Sequence, residues 1–289
     1  MAALHAVIEE CAVGSDANTP KIVELFSIGT ELVIGRIRDT NSFWLGEQLA
    51  RMGAMPRRIT VLPDDPDEIA GALADSVRRG TDVILITGGL GPTPDDLTVD
   101  CVARLLGVPV VVHSPTLERF KQRRNITSDD QVTPGMRKMA SVPRGSRVWE
   151  NPAGWAPLIS VQLEQTTIYM MPGPPLEMEA IFEAHLRSLL AETFQTTSAA
   201  RRVLVEMFES EVSPLLQEVM QRLPRTYLKA YVAMRTEIGL PVDIVAYGRD
   251  QGAAVALLDE ATEILRTLVA ERNRGMYLLE EASTGHVST

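Results

Sequence analysis

The stretch DVILITGGLGPTPDDLT, residues 82–98, indicates more about the fold of this chain than any other segment. Residues 83–86 form an apolar run of the kind found in a parallel strand that is covered on both faces. The glycines of residues 88–91 follow directly, and the lack of a Cβ lets successive backbone amides approach phosphate oxygens. Thr93 and Pro94 then suit the N-cap and first position of a helix. The stretch therefore predicts a strand, a phosphate-binding loop and a helix that begins at about Pro94.

Two acids, Asp95 and Asp96, follow the glycines. They would repel a bare phosphate, so we interpret them as ligands of a magnesium ion that bridges protein and substrate. In the alternative interpretation, Thr93 and Asp96 form a capping box and the glycines only make a turn. The stretch is neither a Walker P-loop nor a Rossmann fingerprint, because no Gly-Lys-Ser/Thr follows and the glycine spacing is GGxG.

Composition limits the classes of function. The chain has 289 residues, of which 45% are hydrophobic and 23% charged, as in soluble globular proteins of one or two domains. A net charge of −10 argues against nucleic-acid or anionic-membrane partners, and no apolar run is long enough to span a bilayer. Cys11 and Cys101 are the two cysteines, so we expect free thiols and a cytoplasmic location.

The first twenty residues are predicted to be an N-terminal extension. Leu4, Val7, Ile8 and Cys11 have helical spacing, and residues 14–20 are typical of a linker. No basic region and long apolar core precede a cleavage site, which argues against a signal peptide. The extension is interpreted either as disordered or as a short helix that packs on a partner subunit.

From Lys21 onward, strand-like and helix-like segments alternate, as in a parallel α/β sheet. Ligands of such sheets bind outside the carboxyl ends of the strands. The loops with that position are residues 29–35, 63–65, 87–96 and 172–177.

Two helix starts are predicted near these loops. Asn41 is expected to cap a helix that runs to Met52. Asp65 is the expected N-cap of the next helix, with Pro66 in its first position, which leaves Asp64 available for a site.

A basic, helical segment lies between residues 116 and 143. Its charges are either a solvated face or a lid that contacts phosphates. The cations in question are Arg119, Lys121, Arg123, Arg124, Arg137 and Lys138. On the loop before the next helix, Arg36 and Arg38 are as suited to solvent as to phosphate. Trp155 is interpreted either as a stacking surface for a base or as a loop anchor.

Four motifs, taken together, resemble the CinA family. They are GTELxxGxxxDTN at residues 29–41, TGGLGPTPDDLT at 87–98, NPxGxAP at 151–157 and PGPPxEM at 172–178. The resemblance is to the N-terminal half of the competence/damage-inducible protein, which is similar to the molybdopterin-binding domains of MogA and MoaB. It implies a three-layer α/β domain with a mostly parallel sheet and a small α+β, KH-like domain. The expected divisions are residues 1–20 (extension), 21–195 (molybdopterin-binding-like domain), 200–275 (KH-like domain) and 276–289 (tail). The small, polar residues 196–200 are interpreted as a boundary.

The resemblance implies two activities for the first domain. One is metal-dependent hydrolysis of ADP-ribose, or of FAD in the related domain of eukaryotic FAD synthase, with magnesium, manganese or cobalt. The other is binding of molybdopterin for adenylylation. The nicotinamide mononucleotide deamidase activity of the family's C-terminal half is not expected here. A third hypothesis is a non-catalytic binding protein that acts through the second domain, but no GxxG loop for RNA follows Ala200, so no nucleic-acid partner is expected.

The motifs imply a set of site residues. Catalysis is assigned to Asp96 and Asp64, and metal binding to Asp64, Asp96 and Glu31. The expected phosphate-binding residues are Thr87, Gly88, Gly89, Gly91, Gly29 and Gly173. Further pocket residues are expected at Asn41, Asp95, Asp100, Asn151, Gly154 and Glu177. By analogy with relatives, a homo-oligomer is expected.

Two residues depart from the family pattern. Leu158 stands where glycine is usual and Leu176 where serine is frequent. The first change is expected to close a backbone approach and the second to remove a hydroxyl donor, so substrate or turnover is expected to differ.

Overall fold

The computed structural model describes residues 21–281, so the interpretation of residues 1–20 lies outside the described part. Within that part, contacts divide the chain into two units. The first unit contains residues 21–46 and 55–190, and the second contains residues 47–54 and 191–281. Each unit has its own sheet and is described separately.

The first unit is built on a mixed sheet of six strands. The strands of this unit are β1 (Ile22–Ile28), β2 (Met55–Leu62), β3 (Val83–Thr87), β4 (Val110–Val112), β5 (Ser141–Pro143), β6 (Arg147–Trp149), β7 (Leu158–Leu163) and β8 (Thr166–Met171). The sheet order is β2-β1-β3-β8-β7-β6, whereas β4 and β5 pair with each other. β2, β1, β3 and β8 are parallel, and β7 and β6 are antiparallel to their neighbours. The predicted α/β class with a mostly parallel sheet is confirmed.

Helices connect these strands. They are α1 (Thr30–Val33), α2 (Thr40–Arg51), α3 (Pro66–Arg78), α4 (Thr98–Leu106), α5 (Ser114–Arg123), α6 (Pro134–Met139), α7 (Pro175–Ile181) and α8 (Arg187–Phe194). A π-helical turn, Phe182–Leu186, joins α7 to α8. On β3, Ile84 and Ile86 belong to a core cluster with residues of α3 and α4. Leu85 points to the opposite face and is also fully buried, so both faces of the strand are covered.

Two predicted helix starts are wrong. The carboxylate of Asp39 accepts a hydrogen bond from the Ser42 amide at 3.0 Å and caps α2, so Asn41 lies inside the helix. α4 begins at Thr98, since residues 93–96 form a turn. By contrast, Asp65 caps α3 as predicted, through the amides of Asp67 and Glu68.

The second unit is an α+β module. Its elements are β9 (Thr197–Val205), α9 (Glu209–Arg222), β10 (Thr226–Ala230), β11 (Leu240–Gly248), α10 (Gln251–Ala270) and β12 (Met276–Glu281). The sheet is antiparallel in the order β10-β11-β9-β12, and apolar residues of α9 and α10 form one core with it. The expected boundary at 196–200 overlaps the start of β9 at Thr197, and residues 276–281 of the expected tail pair with β9.

Helices of the described residues are all too short or too polar to cross a bilayer. Cys101 is buried and reduced. Burial, with the nearby Asp100 carboxylate, raises the pKa of its thiol.

Candidate functional site

Gly88 and Gly89 of the glycine loop pack closely against β1 and α4. Gly88 has φ +96° and Gly89 has φ +67°, a left-handed region that favours glycine. A Cβ at Gly88 would overlap the carbonyl oxygen of Ile28, and one at Gly89 would overlap Thr98 Oγ1. Thr98 donates its hydroxyl to the Gly88 carbonyl at 2.9 Å and its amide to the Gly89 carbonyl at 3.2 Å. Close packing therefore requires both glycines.

Only part of the predicted phosphate cradle is available. The Gly88 amide donates to the Met171 carbonyl at 3.0 Å, and the Gly29 amide donates to the Leu62 carbonyl at 3.0 Å. Those two amides cannot bind phosphate without breaking backbone hydrogen bonds. Within residues 21–281, the three consecutive amides of residues 89–91 have no hydrogen-bond partner. Unpaired amides of this kind form an anion-binding concavity.

A cavity of about 530 Å³ adjoins these amides. It brings together most of the predicted site residues, which are Gly29, Glu31, Asn41, Asp64, Thr87, Gly88, Gly89, Gly91, Asp95, Asp96, Gly173 and Glu177. A second cavity of about 190 Å³ shares the glycine loop and includes Asp100. Asn151 and Gly154 line neither cavity. The carboxyl ends of the parallel strands thus form the site, as expected for this sheet type.

Asp96 is held by the turn that precedes α4. Its Oδ2 accepts the Thr93 amide at 2.8 Å, and the Asp96 amide donates to the Thr93 carbonyl at 3.2 Å. Gly91 makes room for it, because a Cβ there would lie 2.5 Å from Asp96 Oδ2. One half of the capping-box alternative is therefore present, although no helix begins here. Among the described residues, Asp96 Oδ1 has no hydrogen-bond donor.

The neighbouring acid, Asp95, shares the same threonine. The Thr93 hydroxyl lies between the carboxylates of Asp95 and Asp96, at 2.7 Å from Asp96 Oδ2. Its hydrogen bond lowers the pKa of Asp95, with smaller effects from a backbone hydrogen bond and from the Lys138 charge. Asp95 is therefore ionised in neutral solution.

Asp64 has a structural contact as well as a position in the cavity. Its Oδ2 accepts the amide of Thr30 at 2.8 Å and the hydroxyl at 2.9 Å. This contact caps α1, whose first turn contains Glu31. Asp64 and Glu31 both line the larger cavity.

The predicted three-carboxylate metal centre is not formed by the protein alone. Among residues 21–281, no group of three or more His, Cys, Asp or Glu side chains is arranged to hold a metal ion. Magnesium is also bound by one or two carboxylates together with substrate phosphates. Asp64 and Asp96 line one cavity with the free amides, so the residues fit that second arrangement.

Asn41 joins two loops of the site. Its Nδ2 donates to the Gly173 carbonyl at 2.8 Å, which fixes the orientation of the amide. Its Oδ1 is buried and has no partner in the described part of the chain. A buried acceptor without a partner costs free energy. This atom is therefore a candidate for contact with a ligand.

Asn151 and Gly154 shape the cavity wall without lining it. Asn151 Oδ1 accepts the amides of Ala153 and Gly154 at 2.9 and 2.8 Å, and its Nδ2 donates to Glu177 Oε2 at 2.7 Å. A Cβ at Gly154 would overlap the Glu177 carboxylate. Both residues instead contact Glu177, which does line the cavity, so their predicted place in the pocket stays a prediction.

Trp155 anchors its loop and also lines the larger cavity. The guanidinium of Arg123 lies 4.2 Å from its ring centroid, and Phe120 packs edge-on at 5.3 Å. Arg119 donates to its carbonyl oxygen at 3.3 Å. Both interpretations of this tryptophan are therefore compatible with its position.

Sequence reasoning left two other cations undecided. Of these two, Arg38 lines the larger cavity, whereas Arg36 lines neither cavity. Lys138 of the basic segment lines the smaller cavity. The departures Leu158 and Leu176 also lie outside both linings: Leu158 is fully buried in β7, and Leu176 is 79% exposed. Neither leucine closes the site.

Comparison with known proteins agrees with this fold. Residues 24–192 match the family described as "Probable molybdopterin binding domain". A protein of Pyrobaculum arsenaticum is 36% identical over 253 residues, which is 86% of this chain and 94% of the relative. A CinA-like protein of an Anaeromyxobacter species is 35% identical over 204 residues, or 70% of this chain. The chain spans 49% of that relative's length.

Among solved structures, the protein CinA from Thermoplasma acidophilum is 32% identical, with a TM-score of 0.55. The match covers 59% of this chain and 98% of that one. The chain belongs to the molybdopterin-binding domain family. Its relatives place it more narrowly among the CinA-like proteins.

Proposed function

We propose that this CinA-like protein hydrolyses nucleoside diphosphate compounds of the ADP-ribose type. The proposal rests on one observation: the unpaired amides of residues 89–91 and the carboxylates of Asp64 and Asp96 line the same cavity. Neutral amides suit phosphate oxygens, and carboxylates beside them suit a base or a cation ligand. The volume of about 530 Å³ suits a ligand of small-molecule size.

In the proposed reaction, a water oxygen forms a bond to phosphorus and the bridging P–O bond of the anhydride breaks. ADP-ribose would then yield AMP and ribose 5-phosphate. Asp96 Oδ1 has no protein donor within residues 21–281, so it is the oxygen that we assign to accept the proton of the water. Asp64 lies in the same cavity and, with Asp96, would hold a divalent cation. A bound cation would neutralise phosphate charge.

The test is a screen of ADP-ribose and FAD with magnesium, manganese and cobalt, which measures AMP release by the full chain. We expect Asp96→Asn to lower kcat by at least about 100-fold, the usual contribution of a general base, while the protein stays folded. Asp67→Asn is the matched control, because Asp67 is exposed on α3 and lines neither cavity. Absence of AMP from the wild-type protein with all three metals would refute the proposal.

The family match favours a second candidate, binding of molybdopterin for adenylyl transfer. A pterin with its phosphate would use the same free amides. Pterin fluorescence in the purified protein, or tight molybdopterin binding that Asp96→Asn abolishes, would support this candidate over hydrolysis.

A further inference from the structure

The basic segment of residues 116–143 contains six cations, most of which have structural partners. Lys121 pairs with Glu118 at 2.8 Å and with Asp129 at 2.6 Å. Arg119 pairs with Glu150 at 3.3 Å. Arg123 and Arg124 lie over the ring of Trp155. These charges are used within the fold, so they do not act as a general phosphate-binding face.

Lys138 differs from the others in its position. It lies on α6, is half-buried and lines the smaller cavity of about 190 Å³. No hydrogen bond or ion pair joins its ammonium group to another described residue. Its neighbour Arg137 is exposed and lines neither cavity. Lys138 therefore brings to the smaller cavity a positive charge that has no hydrogen-bond or ion-pair partner among the described residues.

The smaller cavity is continuous in its lining with the phosphate-binding loop. Gly89, Leu90, Gly91 and Asp96 line both cavities. The charge of Lys138 also contributes to the lowered pKa of Asp95, although the hydrogen bond from Thr93 contributes more. The ammonium group is thus close enough to affect Asp95 beside the loop.

The positive charge of Lys138 would balance negative charges of a bound phosphate and the nearby carboxylates. A diphosphate at the amides of residues 89–91 would lie beside the carboxylates of Asp95 and Asp96, which repel it. The amides carry no net charge, and the protein alone forms no metal centre among the described residues. A cation in the smaller cavity, which the same loop lines, would offset that repulsion.

We propose that Lys138 binds a phosphate group of the ligand, so that the smaller cavity is a phosphate subsite next to the amides of residues 89–91. The ligand class is a compound with a phosphate or diphosphate group. The substrate identity rests on the proposed function, whereas phosphate binding by Lys138 does not require turnover.

The test measures binding by calorimetry with three probes: ADP-ribose, inorganic pyrophosphate and adenosine. We expect Lys138→Met to weaken binding of ADP-ribose and pyrophosphate by about 10- to 100-fold, the range for loss of a charge-assisted hydrogen bond. Lys138→Arg should recover most of the affinity. Arg137→Met is the matched control and should change binding by less than about twofold. Binding of adenosine, which has no phosphate, should be equal in all variants.

The outcomes separate this inference from the proposed hydrolysis. If Lys138→Met and Arg137→Met bind both phosphate probes equally well, the inference is wrong and hydrolysis can still hold. If Lys138→Met loses phosphate affinity but the wild-type protein releases no AMP, the subsite stands and hydrolysis falls. A wild-type protein that binds neither phosphate probe would overturn both. If adenosine affinity falls equally, the effect is structural and the inference is wrong. Should Lys138→Met fail to fold, Lys138→Gln with the same probes replaces it.

Discussion

The two ends of the parallel strands β1, β2 and β3 place acidic side chains in opposite situations. At the amino end, Glu24 is fully buried and its carboxylate accepts hydrogen bonds from Arg57 and Arg79 at 2.5–3.1 Å. At the carboxyl end, Asp64 and Asp96 are each held by one threonine and border a cavity. A buried carboxylate whose hydrogen bonds are all made thus stabilises the sheet. Carboxylates at a cavity that keep an oxygen without a donor are available for a ligand.

The largest loss of stability is expected from a substitution at Gly88, which follows β3. Gly88→Ala would force a Cβ against the Ile28 carbonyl at a left-handed φ, so we expect a loss of about 3 kcal/mol or more in unfolding free energy. Urea denaturation followed by circular dichroism measures this loss. Gly145→Ala is the control, because Gly145 has φ +91° but open space around it, and should cost about 1 kcal/mol. Equal costs at the two positions would show that the close packing of Gly88 is not needed.

The contribution of the buried Glu24 carboxylate can be tested through the pH dependence of stability. Burial by itself would raise the pKa of Glu24, but hydrogen bonds from Arg79, Arg57 and Ser76 outweigh burial and lower the pKa from 4.5 to about 2. A lowered folded-state pKa gives stability that is present above about pH 5 and is lost as pH falls toward 2.

Between pH 7 and pH 3 the wild-type protein should therefore lose about 2 kcal/mol more than Glu24→Gln, as measured by urea denaturation at both values. Glu118→Gln, which removes one partner of a surface ion pair, should behave as the wild type. An identical pH dependence in Glu24→Gln and wild type would mean that the network contributes nothing through this carboxyl group.

The smallest effect is expected at Asn41. Asn41→Ala removes a hydrogen bond to Gly173 but also removes a buried acceptor that has no partner in the described chain, so the two effects on stability should nearly cancel. Affinity for ADP-ribose should fall about tenfold by calorimetry if Oδ1 contacts the ligand. Phe43→Ala, an exposed change on the same helix, is the control. A loss of stability above about 2 kcal/mol with unchanged affinity would assign Asn41 a purely structural role.

Local chemistry made several features predictable. The apolar run of β3, the glycines that follow it and the cap at Asp65 depend on neighbouring residues, so sequence reasoning found them. The start of α4 was missed, because Asp96 bonds to Thr93 as in a helix cap although the helix begins only at Thr98. The cap at Asp39 was also missed, since Asn41 is an equally good N-cap by residue type.

Long-range contacts explain the other errors. Asn151 resembles a ligand-binding residue in sequence, but its amide is used by Glu177, 26 positions away. The amides of Gly29 and Gly88 are taken by strand ends that are distant in sequence. No local pattern reveals such pairings.

By itself, the sequence determined the α/β class, the glycine loop and the set of acids around it, because hydrophobic periodicity and glycine conformation act over a few residues. The tertiary structure alone decided which groups remain free. The groups left without a hydrogen-bond partner within residues 21–281 include three amides, one oxygen of Asp96, Asn41 Oδ1 and the Lys138 ammonium group, whereas the amides of Gly29 and Gly88 are paired with carbonyls from elsewhere in the fold. Many hydrogen-bond partners come from residues that are distant in sequence. Whether a group is available for a ligand therefore depends on which groups remain unpaired in the folded protein.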